Sequence, residues 1–150
     1  MYFRQITNGS LGEHLYMIGA DGAKDVIVID PGEAKPALDA LERDSLNCVA
    51  ILLTHGHFDH IGGVRAIKER YGAKVYIHEA DAGMLKSNRM SLAVLTGELV
   101  QLAEPDILLQ GGETFELAGL KIDVIHTPGH TKGGVCYALP KERKLFVGDT

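Results

Sequence analysis

Residues 48–63 read CVAILLTHGHFDHIGG. The run Cys48–Leu53 has no residue suited to water, so it reads as a strand lying centrally in a sheet with both faces covered. Immediately after it, His55, His57, Asp59 and His60 place three imidazoles and a carboxylate within six residues. Such a cluster at the end of a buried strand is costly unless something binds it. Alternate residues of an extended segment share a side. His55 and His57 can therefore reach one metal ion, with Gly56 letting the backbone pack close between them. Asp59 continues the alternation where a helix begins. His60 turns elsewhere, which places Asp59 and His60 to serve a second ion beside the first. Imidazole nitrogen and carboxylate oxygen without thiolate suit zinc, and also iron or manganese.

Two later loops have the same character. Val124–His130 (VIHTPGH) ends a strand in a rigid Pro-Gly turn and offers His130. Leu145–Thr150 (LFVGDT) ends a strand in Gly148 and then a carboxylate, Asp149. Taken alone, His130 is a turn histidine and Asp149 a C-terminal turn or cap. Three ligand-bearing strand ends in one chain favour a metal centre assembled on a sheet rim.

Outward from these loops, 14–19 and 25–30 form an antiparallel pair around the Asp21-Gly22 turn. A short amphipathic helix covers 36–43, and a second covers 60–71 with Ile61, Val64 and Ile67 at helical spacing. A strand at 74–78 leads to a helical stretch at 80–86. Residues 87–105 are weakly periodic and read as loop with some helix. Short strands follow at 107–109, 114–117, 120–126, 135–139 and 144–148, with hairpin turns at 118–119 and 140–143. The order predicts an α/β layer structure ending in a β-meander, in one domain spanning 1–150.

Composition excludes more than it identifies. The chain has 150 residues, 45% hydrophobic and 23% charged, with a formal charge of −5. That favours a globular fold and gives no basic footprint for nucleic acid. Apolar runs are strand-sized and the start carries no signal-peptide pattern, so neither a membrane partner nor export is expected; the setting reads as cytoplasmic. Cys48 and Cys136, without CxxC spacing, read as buried reduced thiols. His14, His78 and His126 lack matched partners and read as structural or surface residues. Tyr16, Tyr71, Tyr76 and Tyr137 read as core. Gly62-Gly63 at a helix start implies close packing of helix on loop.

The ordered set HGHFDH (55–60), TPGHT (127–131) and FVGDT (146–150), with VIDPG (28–32) before it, resembles the metallo-β-lactamase superfamily over residues 14–150. HTPGHTKGGVCY (126–137) and LFVGDT (145–150) are most similar to its glyoxalase II (hydroxyacylglutathione hydrolase) type. The resemblance implies an αββα four-layer sandwich. It implies one zinc on His55, His57 and His130, a second on Asp59 and His60, and Asp149 bridging them. Asp30, with Thr54, would support the metal loop from behind. The implied activity is zinc-dependent hydrolysis, a metal-activated hydroxide oriented by Asp59 attacking a small-molecule thioester or related acyl bond.

The resemblance also implies further elements after Asp149, including a strand-end histidine for the second ion. The chain is therefore expected to be an N-terminal fragment with the C-terminal part missing. An exposed sheet edge would then invite oligomerisation or domain exchange. Two rivals stand beside the hydrolase. One is an iron persulfide dioxygenase using His55, His130 and Asp149, which leaves Asp59 and His60 idle. The other is a non-catalytic metal-binding fragment, should the native chain end at Thr150.

Overall fold

A computed structural model describes residues 1–150. Its first sheet has strands β1 (Tyr2–Asn8), β2 (Glu13–Gly19), β3 (Asp25–Ile29), β4 (Asn47–Leu52), β5 (Lys74–His78) and β6 (Ile107–Leu109), adjacent in that order. β1, β2 and β3 pair antiparallel, whereas β3 to β6 are parallel. The apolar run thus lies in a central strand, as its composition requires. A second sheet has the order β10 (Lys144–Phe146), β9 (Val135–Leu139), β8 (Leu120–His126), β7 (Thr114–Leu117), all antiparallel.

Each face of the first sheet has its own core. On one side Leu15, Met17, Val26, Val28, Ile51 and Val75 pack against Ala37 and Leu41 of α1 (Ala34–Arg43) and Val64 and Ile67 of α3 (Val64–Tyr71). On the other, Ile18, Ile27, Ile29, Ala50 and Leu52 meet Leu120, Ile122, Val124, Tyr137 and Leu139 of the second sheet. The result is the helix–sheet–sheet part of the expected αββα sandwich. The outer face of the second sheet is uncovered, with Ile125 45% and Leu145 56% exposed.

Several expectations change. β1 was not anticipated: Phe3 is exposed while Arg4 of the inward-facing set pairs with Asp44, so the strand lacks apolar alternation. The helix expected over 60–71 is two, α2 (Phe58–Ile61) and α3, broken at Gly62-Gly63. A Cβ on Gly62 would stand 2.2 Å from the Gly32 carbonyl oxygen, and one on Gly63 would stand 2.7 Å from the Glu33 carbonyl carbon. The glycines therefore serve close loop packing, as expected. Residues Glu79–Lys86 form a 3-10 helix, and Ala93–Thr96 form a single turn, α4. The Ile107–Leu109 strand joins the first sheet through β5 and takes no part in the meander. The last strand stops at Phe146, two residues short of expectation. No helix is long and apolar enough to cross a membrane.

Candidate metal centre

The parallel strands β3, β4 and β5 deliver their carboxyl ends to one rim of the sheet, where open α/β folds present functional loops. Asp30 follows β3 with φ +50° and is buried. Its Oδ1 accepts the Thr54 N–H at 2.8 Å and its Oδ2 accepts the Thr54 hydroxyl at 2.5 Å. Thr54 Oγ1 lies 3.2 Å from His55 Nδ1, and His60 Nδ1 lies 3.0 Å from Asp30 Oδ2. With the Thr54 proton committed to Asp30, His55 Nδ1–H donates to Thr54, and His60 Nδ1–H donates to Asp30. Both rings are thereby oriented with Nε2 turned the other way.

Those two Nε2 atoms are buried and have no hydrogen-bond partner. His60 Nε2 has Asp149 Oδ1 at 3.3 Å and Asp59 Oδ2 at 3.5 Å, and His55 Nε2 has Asp149 Oδ2 at 3.7 Å, none of them aligned as a hydrogen bond. Native structures rarely leave such atoms orphaned without a bound partner. The loop after β8 brings His130 Nε2 to 3.0 Å from His57 Nδ1 and 3.3 Å from Asp149 Oδ2.

Ligand-capable atoms of His55, His57 and His130 all lie within 4.8 Å of one another, as do those of His55, Asp59 and His60. All six residues singled out for metal binding converge, and Asp149 stands between the two groups. His55 belongs to both, which the alternation argument did not foresee. The donor set fits one or two divalent ions.

Burial drives the His55 pKa down to about 3, helped by the neighbouring His60. His57 is lowered as well, by burial and then by His130. In His60, burial would lower the value, but Asp30, Asp59 and Asp149 outweigh it and raise the pKa to about 9.

Histidines left aside in the sequence have structural places. His78 and His126 stack with centroids 4.2 Å apart, and their Nε2 atoms lie 3.2 and 3.0 Å from the carbonyls of Gln110 and Lys132. His14 meets Thr7 on the surface. Tyr137 is fully buried and donates its hydroxyl to the Leu53 carbonyl at 2.7 Å, while Tyr16, Tyr71 and Tyr76 are only half-buried. Cys48 and Cys136 are free and buried. Sequence reasoning passed over Asp81 and gave Thr131 of the TPGHT motif no role of its own, yet the bond between them joins the ligand loops. An aspartate in a helical stretch carries no spacing signal for that.

Comparison with known proteins bears on the family and the fold. The family model described as metallo-beta-lactamase superfamily matches residues 11–150. A hydroxyacylglutathione hydrolase of Pelagibacter ubique (strain HTCC1062) is 35% identical over 136 residues, covering 90% of this chain and 49% of that protein. The chain thus spans about half the length of that relative. Among solved structures, BLEG-1 B3 metallo-beta-lactamase aligns with TM-score 0.91 and 36% identity, covering 99% of this chain and 72% of the other. TTHA1623 in a di-iron-bound form aligns with TM-score 0.81 and 32% identity, covering 97% and 71%.

Proposed function

The chain belongs to the metallo-beta-lactamase superfamily, and on that footing we propose that it serves in a zinc-dependent hydrolase of glyoxalase II type, cleaving a small-molecule thioester or related acyl bond. The observation that carries the reading is the pair of buried, unpartnered Nε2 atoms of His55 and His60, turned toward Asp59 and Asp149. The hydroxyacylglutathione hydrolase relative supports the thioester, and the di-iron TTHA1623 supports a two-ion centre.

In this reading His55, His57 and His130 would hold one ion, Asp59 and His60 would hold the other, and Asp149, near both groups, would serve both. A metal bound there would lower the pKa of water toward neutrality and polarise an acyl carbonyl. The chain's own residues do the rest. Asp30 and Thr54 take the Nδ1–H of His60 and His55, so that Nε2 of each ring is the atom turned toward a ligand. Asp59, only partly exposed, would orient the attacking oxygen by accepting a hydrogen bond from it. A cytoplasmic setting belongs to the same proposal and is supported by two free, buried cysteines.

A second reading, one iron on His55, His130 and Asp149 in a persulfide dioxygenase, has one observation in its favour: Asp149 Oδ2 approaches both histidines, at 3.7 and 3.3 Å. It gives no role to the orphaned His60 Nε2, and the hydrolase accounts for both atoms. Metal analysis of the purified chain, with thiol release from a hydroxyacylglutathione thioester, tests the choice. Bound zinc with chelator-sensitive thiol release is expected. A single iron with oxygen uptake on a persulfide would overturn it.

A further inference from the structure

Asp81, in the 3-10 helix after β5, is fully buried. Its Oδ2 accepts the Gly56 N–H at 3.1 Å and the Thr131 hydroxyl at 2.7 Å, and its Oδ1 accepts the Gly133 N–H at 2.8 Å. Gly56 stands between His55 and His57, and Thr131 directly follows His130. Every donor that satisfies this carboxylate therefore comes from one of the two loops that carry the first ligand group. No Lys or Arg pairs with it.

A buried carboxylate is costly unless its oxygens are hydrogen-bonded, and bonds to a charged acceptor are among the stronger ones. That cost is offset here only while both loops are docked on the 3-10 helix. The packing leaves no slack. A Cβ on Gly133 would come within 2.7 Å of Asp81 Cγ and 2.8 Å of its backbone nitrogen, and one on Gly56 within 2.6 Å of Met84 Cβ. The junction couples two loops that also meet at the His57–His130 contact and, at their base, through the Val135 N–H donated to the Thr54 carbonyl at 2.9 Å.

We propose that Asp81 is a positioning residue of the metal centre, clamping the His130 loop against the His55–His57 loop so that the three imidazoles meet at ligand distance. This rests on the metal-centre reading above. The Asp81→Asn amide offers a single acceptor oxygen and turns its NH2 group toward backbone or hydroxyl donors. Thr131→Val removes one of the three bonds and leaves the carboxylate in place.

The test is zinc affinity of the folded chain, by competition with a chromophoric chelator, together with the visible spectrum of the cobalt-loaded protein. Wild type, Asp81→Asn, Thr131→Val and a distant core control, Ile67→Val, are compared, with urea midpoints measured for each. Asp81→Asn is expected to bind zinc at least about tenfold more weakly with an altered cobalt spectrum. Thr131→Val is expected to fall between it and wild type, and Ile67→Val to bind as wild type whatever its midpoint. Wild-type affinity and spectrum in Asp81→Asn would overturn the clamp and leave the metal centre standing. A wild-type chain that takes up neither metal would overturn both.

Discussion

His57 Nδ1 stands 3.0 Å from His130 Nε2, although 73 residues separate them. Two neutral imidazoles can meet this way only if one donates a proton to the other. In the proposed metal centre an ion would take the place of that proton and draw on both lone pairs. The contact joins two rings of the His55–His57–His130 group, whose ligand-capable atoms all lie within 4.8 Å of one another.

Because His55 belongs to both ligand groups and His57 to one, truncating them should have unequal consequences. His57→Ala and His130→Ala are expected to lose one bound ion and retain part of the second group's affinity. His55→Ala is expected to lose the first ion and, because its ring also lies within reach of Asp59 and His60, to weaken the second more than His57→Ala does. Thiol release should fall about a hundredfold or more in all three, since each removes a ligand outright. Elemental analysis after gel filtration reads the stoichiometry. Equal metal content in His55→Ala and His57→Ala would show that the two groups do not share a ligand.

Gly62→Ala pits helix propensity against packing. Alanine gains roughly 1 kcal/mol over glycine in a helix interior, but Gly62 sits at the α2 terminus, where less of that gain applies. Its Cβ would stand 2.2 Å from the Gly32 carbonyl oxygen, a backbone atom that cannot rotate away. Overpacking of this kind costs about 1–3 kcal/mol. Net destabilisation is expected as a lower urea midpoint with unchanged slope, and a raised midpoint would refute the packing argument.

The metal loops were legible because their information is local. His55, His57, Asp59 and His60 follow one apolar strand, and His130 and Asp149 each follow a strand and a tight turn. Convergence was legible only through their order, since nothing in the sequence states that 54–60 and 127–131 face each other. β1 escaped notice because its inward positions include Arg4 and Asn8, held by Asp44 and by the Glu33 N–H respectively. The helix break at Gly62-Gly63 is set by the 32–34 backbone on another element, and no periodicity within 58–71 reveals it. Asp81 was silent for the same reason, as all its partners are distant in sequence.

Tyr137 ties the second sheet to the metal loop. Its hydroxyl donates to the carbonyl of Leu53, the residue before Thr54, from a fully buried position. Tyr137→Phe keeps the ring packing and removes one buried hydrogen bond, for a loss of about 1 kcal/mol, more if the Leu53 carbonyl is left without a partner. Chemical denaturation checks the value. A loss near zero would mean that water or a shift of the loop replaces the bond.

The histidine pKa shifts set the pH dependence of the metal-free chain in opposite directions. His55 is lowered from 6.5 to about 3, so between those values the unfolded chain binds the proton and the native chain does not. Stability from this residue rises with pH across that window. His60 is raised from 6.5 to about 9, so its contribution is full below 6.5 and is lost as pH climbs through 9. The two together place a maximum near 6.5 for their combined contribution. Urea titrations from pH 4 to 9.5 under chelator should show His55→Gln flattening the acid limb and His60→Gln flattening the alkaline one. If His60→Gln left the alkaline limb unchanged, the carboxylates of Asp30, Asp59 and Asp149 would not be holding a proton on that ring, and its Nε2 would already be free for a metal ion at neutral pH.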